Sequence, residues 1–196
     1  MIIRTIFSIL LLVLSGCSAA TETSQAASRA HFRHNGLRFA LDVPAAWSIQ
    51  ALRGNVAFEA LAPRQPQAEP ASSLAAELTG RQTRAASAVD VFTRTEDADV
   101  NLDAFAPKLL DLFTSDLRFQ LQDHPVQPTV ESATVSGLPA RLFHRDAWEG
   151  PVQFDQRILI VARGRQVWAL IITVPVADRA SAAADVAAIE KSFSVW

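Results

Sequence analysis

Apolar and polar residues first fall into step at Leu37, Phe39, Leu41 and Val43, with Arg38 and Asp42 facing the other way. A period of two places the four apolar side chains on one face and predicts a half-buried strand. The preceding arm of HFRHNGLRFALDVP alternates too. Asn35-Gly36 between the arms predicts a hairpin, because both residues tolerate positive φ. Past Pro44 and Trp47, SIQALR and VAFEALA predict a second hairpin around Gly54-Asn55, and SAVDVFTRT (87–95) a further strand. The period then changes. Phe105, Leu109, Leu112, Phe113 and Leu117 recur at spacings of three and four, the stripe of an amphipathic helix. With Asp103 as its N-cap, Pro107 falls in the first turn, where no backbone donor is required. LAAEL (74–78) reads as one more helical turn, and APRQPQAEPASS (62–73) as a surface excursion.

The C-terminal third returns to strands: TVESATVSG, LPARLFHRDAW, FDQRILIVAR and QVWALIITV, separated by Gly137, Glu149-Gly150-Pro151 and Gly164-Arg165. Connections this short exclude crossovers and predict antiparallel neighbours. Ile158 to Ala162 and Val167 to Val174 are nearly continuously apolar, which predicts a sheet covered on both faces. A closing helix over Asp178 to Phe193 offers Ala182, Val186, Ile189 and Phe193 as its inner stripe. One antiparallel sheet with a helix on each side satisfies the whole pattern. The expected class is α+β, a three-layer α/β/α sandwich around a central antiparallel sheet.

The N-terminus follows another logic. Arg4 precedes an apolar run from Ile6 to Leu14, about half the roughly 20 residues that span a bilayer, so the run reads as a secretory signal. Leu14-Ser15-Gly16-Cys17 follows, and Cys17 is the only cysteine of the 196 residues. The order of branched apolar residue, two small residues and Cys resembles the bacterial lipobox, in which the thiol takes a diacylglyceryl group. Several acyl chains, at about 0.8 kcal/mol per buried methylene, make such attachment effectively permanent. The reading is therefore signal peptide over 1–16, lipidated Cys17 heading a tether over 17–30, and a globular domain over 31–196. Residues 18–30 lack large apolar side chains, and a flexible chain of that length spans on the order of 20 Å. The expected place is the bacterial cell envelope. Ser18 in place of an Asp after the Cys directs the protein, in a cell with two membranes, to the outer membrane facing the periplasm. No cysteine is left for a disulfide, so the domain depends on its core.

Charge and glycine usage remove several activities. A net charge of −2 and scattered arginines provide no basic stripe for nucleic acid. The seven glycines are isolated, which leaves no phosphate-cradling loop, dinucleotide fingerprint or Gly-flanked nucleophile. His31 and His34 alternate to opposite faces of a strand, His124 precedes a proline, and His144 lies on a strand without a catalytic companion in sequence. No catalytic residue, cofactor or firm metal site is expected. The nearest thing to a metal site is Asp97, Asp99, Asn101 and Asp103, which echo the start of an EF-hand loop. That loop demands Gly where Leu102 stands and a bidentate Glu where Lys108 stands, so this is only a weak calcium candidate beside the plainer reading of an acidic helix start. Trp148 beside Glu149-Gly150-Pro151 falls at a hairpin tip, where a large aromatic suggests a partner contact.

Taken in order, GLRFALDVPAAW, DVFTRT…LDAFAPKLLDLF, VSGLPARLF and IEKSFSVW resemble the PsbP-like superfamily, and with the lipobox its DcrB-type bacterial lipoproteins. The resemblance spans nearly all of 31–196. It implies the α/β/α fold, no catalytic residues, and a role as an extrinsic accessory or binding subunit, such as those of photosystem II or the branch that binds a small GTPase in nuclear transport. The expected function is a non-enzymatic, lipid-anchored accessory protein that docks to an envelope protein. A carrier or sensor of a small apolar ligand, and a hydrolase with an unrecognised site, are the alternatives.

Overall fold

A computed structural model describes residues 28–50, 56–63, 86–114, 129–149 and 152–196. The signal, Cys17, LAAEL, the Gly54-Asn55 turn, Leu117 and His124 lie outside these residues. The N-terminal alternation forms β1 (Arg29–His34) and β2 (Phe39–Pro44), paired antiparallel with His34 opposite Phe39. β1 thus begins two residues inside the segment read as tether. The loop holds four residues, and Leu37 leaves the strand for that loop. Positive φ falls on Arg38 (58°), whereas Gly36 keeps an ordinary backbone angle. The Asn35-Gly36 expectation therefore located the turn but missed its strained position.

β3 (Ser48–Gln50), β4 (Val56–Leu61) and β5 (Ala88–Thr95) follow. Helix α1 (Leu102–Thr114) is capped by Asn101, whose Oδ1 accepts the Ala104 amide at 3.3 Å, and not by Asp103. Asp103 lies in the first turn, paired with Arg141. With the cap two residues earlier, Pro107 falls in the second turn on the exposed side, where solvent can satisfy the carbonyl it leaves without a donor.

β6 (Thr129–Val135), β7 (Leu138–Glu149), β8 (Val152–Arg163) and β9 (Gln166–Pro175) pair in succession, all antiparallel. Ser136 (φ 51°) and Gly137 (φ 78°) form a two-residue turn with both positions left-handed, and Gly164 (φ 58°) opens the next. After a 3-10 turn (Val176–Asp178), helix α2 (Arg179–Ser192) leads into β10 (Ser194–Val195).

Seven strands form one sheet in the order β3-β4-β5-β9-β8-β7-β6. On one face α1 buries Ala106, Leu109 and Leu110 against Phe143, Ile158, Ile160, Val167 and Ala169. On the other, Leu159, Val161, Trp168, Leu170 and Ile172 meet Val186, Ile189 and Phe193 of the α2 region. The sandwich is therefore as expected, with an addition. β1, β2 and β10 form a second, three-stranded sheet that shares the α2 layer, Phe39, Leu41 and Val43 entering the same core. The apolar runs of β8 and β9 are continuous because both of their faces are covered.

Candidate functional site

Four turns meet at one end of the large sheet: the β1–β2 loop, the β5–α1 loop, Ser136-Gly137 and Gly164-Arg165. Hydrogen bonds hold them in place. Glu96 and Arg165 exchange a bond, with Glu96 N donating to Arg165 O at 2.8 Å, and Arg165 Nε donates to Glu96 O at 2.6 Å. Val100 N donates to Gly164 O at 2.9 Å, and Val195 N to Ser136 Oγ at 2.9 Å. A side chain at Gly164 would also approach Asp99 Oδ1 at 3.5 Å, beyond the strain of its backbone.

The β8–β9 turn separates two clefts. The acidic one, about 370 Å³, is lined by Glu96, Asp97, Asp99, Asn101, Phe105 and Lys108. Within it Asn101 is committed to the helix cap, Glu96 pairs with Arg94 at 2.5 Å, and Asp97 and Asp99 are exposed. Asp103 turns away to Arg141. Among the described residues no three His, Cys, Asp or Glu side chains converge as a metal set.

The second cleft, also about 370 Å³, is lined by Leu37, Arg38, Arg163, Gln166, Trp168 and Trp196. Its walls are fixed by three bonds on one loop. Leu37 N donates to His34 Nδ1 at 3.0 Å, Trp168 Nε1 donates to Leu37 O at 2.7 Å, and Trp196 N donates to Arg38 O at 3.2 Å. The bond at Nδ1 sets the His34 tautomer with its proton on Nε2, and the ring stacks on Phe39 at 5.7 Å. Arg33 lies 4.0 Å over the Trp196 ring, a cation–π contact. Nothing in the sequence singles out Arg38 or Arg163, because distant segments supply them.

The other predicted residues are dispersed. His31 pairs with Asp42 at 2.6 Å on the exposed side of β1, while His34 faces inward, the opposite-face placement that the spacing implies. His144 is half-buried opposite Arg157. Trp148 is half-buried opposite Gln153, near the far end of the β7–β8 hairpin, and belongs to neither core cluster. Trp47 packs on the α2-side core and Trp168 is buried within it.

A polar row on the α1 face of the sheet went unread in the sequence. Arg145 is buried, and its Nε donates to Gln156 Oε1 at 2.5 Å; Gln156 Nε2 in turn donates to Thr173 Oγ1 at 3.1 Å. The three residues face one another across adjacent strands. Desolvation lowers the Arg145 pKa to about 10. Arg145 looks like any outward-pointing residue of an alternating strand, so periodicity could not reveal its burial.

No protein-family profile matches the chain, and no curated protein does. Solved structures do match. Cyanobacterial PsbP (CyanoP) from Synechocystis aligns at TM-score 0.58 and 11% identity, over 93% of this chain and 99% of that one. The fold is PsbP-like. A Bacteroides thetaiotaomicron protein aligns at TM-score 0.51 and 11% identity, over 85% of this chain and 48% of that one. LpqN of Mycobacterium tuberculosis, involved in cell envelope biogenesis, aligns at TM-score 0.51 and 12% identity, over 86% and 90%. At these identities the likeness is one of fold. Among the described residues no helix is long and apolar enough to cross a membrane.

Proposed function

We propose that this PsbP-like chain is a non-catalytic, lipid-anchored accessory protein of the bacterial envelope that docks to another envelope protein. The observation that carries the reading is the conjunction of a lipobox at Cys17 with a PsbP-like domain directly after a short polar tether. Its likeness to LpqN, itself involved in envelope biogenesis, supports the compartment. The DcrB-type lipoproteins are the branch that the same conjunction favours. In a cell with two membranes, Ser18 favours the outer one, with the domain facing the periplasm. Trp148 is the proposed partner contact, because a half-buried indole outside both cores offers apolar area without weakening the fold.

Cross-linking and co-purification of the tagged, full chain from its own membranes test this reading, with Cys17→Ala and Trp148→Ala run beside the parent. The expected result is a stoichiometric partner that is retained by the parent and lost or depleted in Trp148→Ala. Cys17→Ala is expected to leave the membrane fraction. Recovery of nothing beyond the lipid-modification machinery would overturn the docking role.

A further inference from the structure

The cleft between the β1–β2 loop and the β8–β9 turn combines three features that packing alone does not explain. Arg38 occupies a left-handed backbone position at φ 58°. An L side chain there is strained relative to glycine, and a long cationic residue is an uncommon occupant. The Arg38 loop is nonetheless clamped by the ring of His34, the indole of Trp168 and the backbone of Trp196, so Arg38 is held where it stands. Finally, Arg38 and Arg163 line the same cleft, and no carboxylate among the described residues pairs with either guanidinium. Most other arginines among the described residues are committed: Arg29 to Asp185, Arg94 to Glu96, Arg141 to Asp103, Arg157 to Glu190 and Arg179 to Asp155. The acidic side chains of the neighbouring turn line the other cleft, which shares none of these residues.

We propose that this cleft binds a phosphate monoester through Arg38 and Arg163, with its organic body against Trp196. Two guanidiniums match the charge of a monoester, about −1.5 to −2 at pH 7, and their planar forks match its oxygens. The indole of Trp196, fixed by Arg33, supplies the apolar wall. A volume of about 370 Å³ suits a small ester or one lipid head group. The site is independent of the docking role, since it lies on different strand ends from Trp148 and requires no protein partner.

The test is calorimetric titration of the full chain in non-ionic detergent at low salt, where screening is weakest. The probes are phenyl phosphate, inorganic phosphate, short-chain phosphatidic acid and short-chain phosphatidylglycerol, whose phosphate is a diester. The expected result is saturable 1:1 binding of a monoester, tighter than inorganic phosphate and tighter than the diester. Arg38→Gly is the informative variant, because glycine accepts φ 58° without strain and leaves the loop intact. It should weaken binding about tenfold, as should Arg163→Gln, while Lys108→Gln in the acidic cleft leaves it unchanged. Phosphatidic acid binding tenfold tighter than phenyl phosphate points to a lipid source, and the reverse order to a free ester; both support the site. Absence of saturable binding for both monoesters overturns it. So does binding that persists in a folded Arg38→Gly/Arg163→Gln double variant.

Discussion

Helix α1 meets the sheet through Leu109, Leu110 and Ala106, with Leu102 and Phe105 packed beside them, and Asp103 pairs with Arg141 at its exposed start. Helix α2 buries only Val186 and Ile189 within its length and is otherwise rich in alanine. Ion pairs supply much of its attachment. Glu190 takes a two-pronged bond from Arg157 at 2.5 and 2.8 Å, Arg179 reaches Asp155 at 3.1 Å, and Asp185 pairs with Arg29 at 2.9 Å. Ser192 Oγ adds a bond from the Asp42 amide at 2.8 Å. Two helices covering one sheet are thus held by different forces. Apolar contact is indifferent to orientation, whereas a forked guanidinium–carboxylate pair fixes register. The ionic helix touches both sheets, where register matters most.

Four substitutions sharpen that contrast. Leu109→Ala should cost the most, about 2–5 kcal/mol of unfolding free energy, with the loss the same in low and high salt. Urea unfolding at two ionic strengths checks both parts. Gln156→Leu should cost about 2–3 kcal/mol, because it takes the 2.5 Å acceptor from a buried guanidinium. The lowered pKa of Arg145 sets the sign of its own pH dependence. Below about 10 the guanidinium is charged in both states and the full burial cost is present. The cost declines only as pH rises beyond about 10, where the unfolded chain binds more protons than the folded one. Glu190→Gln should cost about 1–2 kcal/mol in low salt and less at 1 M salt, measured by the same unfolding curves. Asp185→Asn, which removes a more exposed pair, should stay below about 1 kcal/mol. A salt-insensitive Glu190→Gln, or a salt-sensitive Leu109→Ala, would break the contrast between the helices.

The parts of the fold that local pattern controls were legible. The β6–β9 meander follows from Gly137 and Gly164 at their left-handed positions, and the inner stripe of α2 from the spacing of Ala182, Val186, Ile189 and Phe193. Both-face burial of β8 and β9 followed from their unbroken apolar runs. Features decided by distant residues were not legible. Asn101 caps α1 because the chain is held there by the β8–β9 turn, while Asp103, an equally good cap by type, is drawn to Arg141 on β7. The positive φ at Arg38 in place of Gly36 reflects the clamp from Trp168 and Trp196, both more than a hundred residues away. β10 is too short to show a period, and its pairing with β2 depends wholly on where α2 delivers the chain. For the candidate site, the sequence offered Trp148 and the acidic turn; the two unpaired arginines became visible only once three segments met.

β10 carries a kinetic consequence. Ser194 pairs with Ala40 and Val195 with Phe39, so β2 obtains its second neighbour from a strand that follows helix α2. Contacts this far apart close slowly and late. Until Val195 is in place, one edge of β2 and the Trp196 side of the loop clamp stay open.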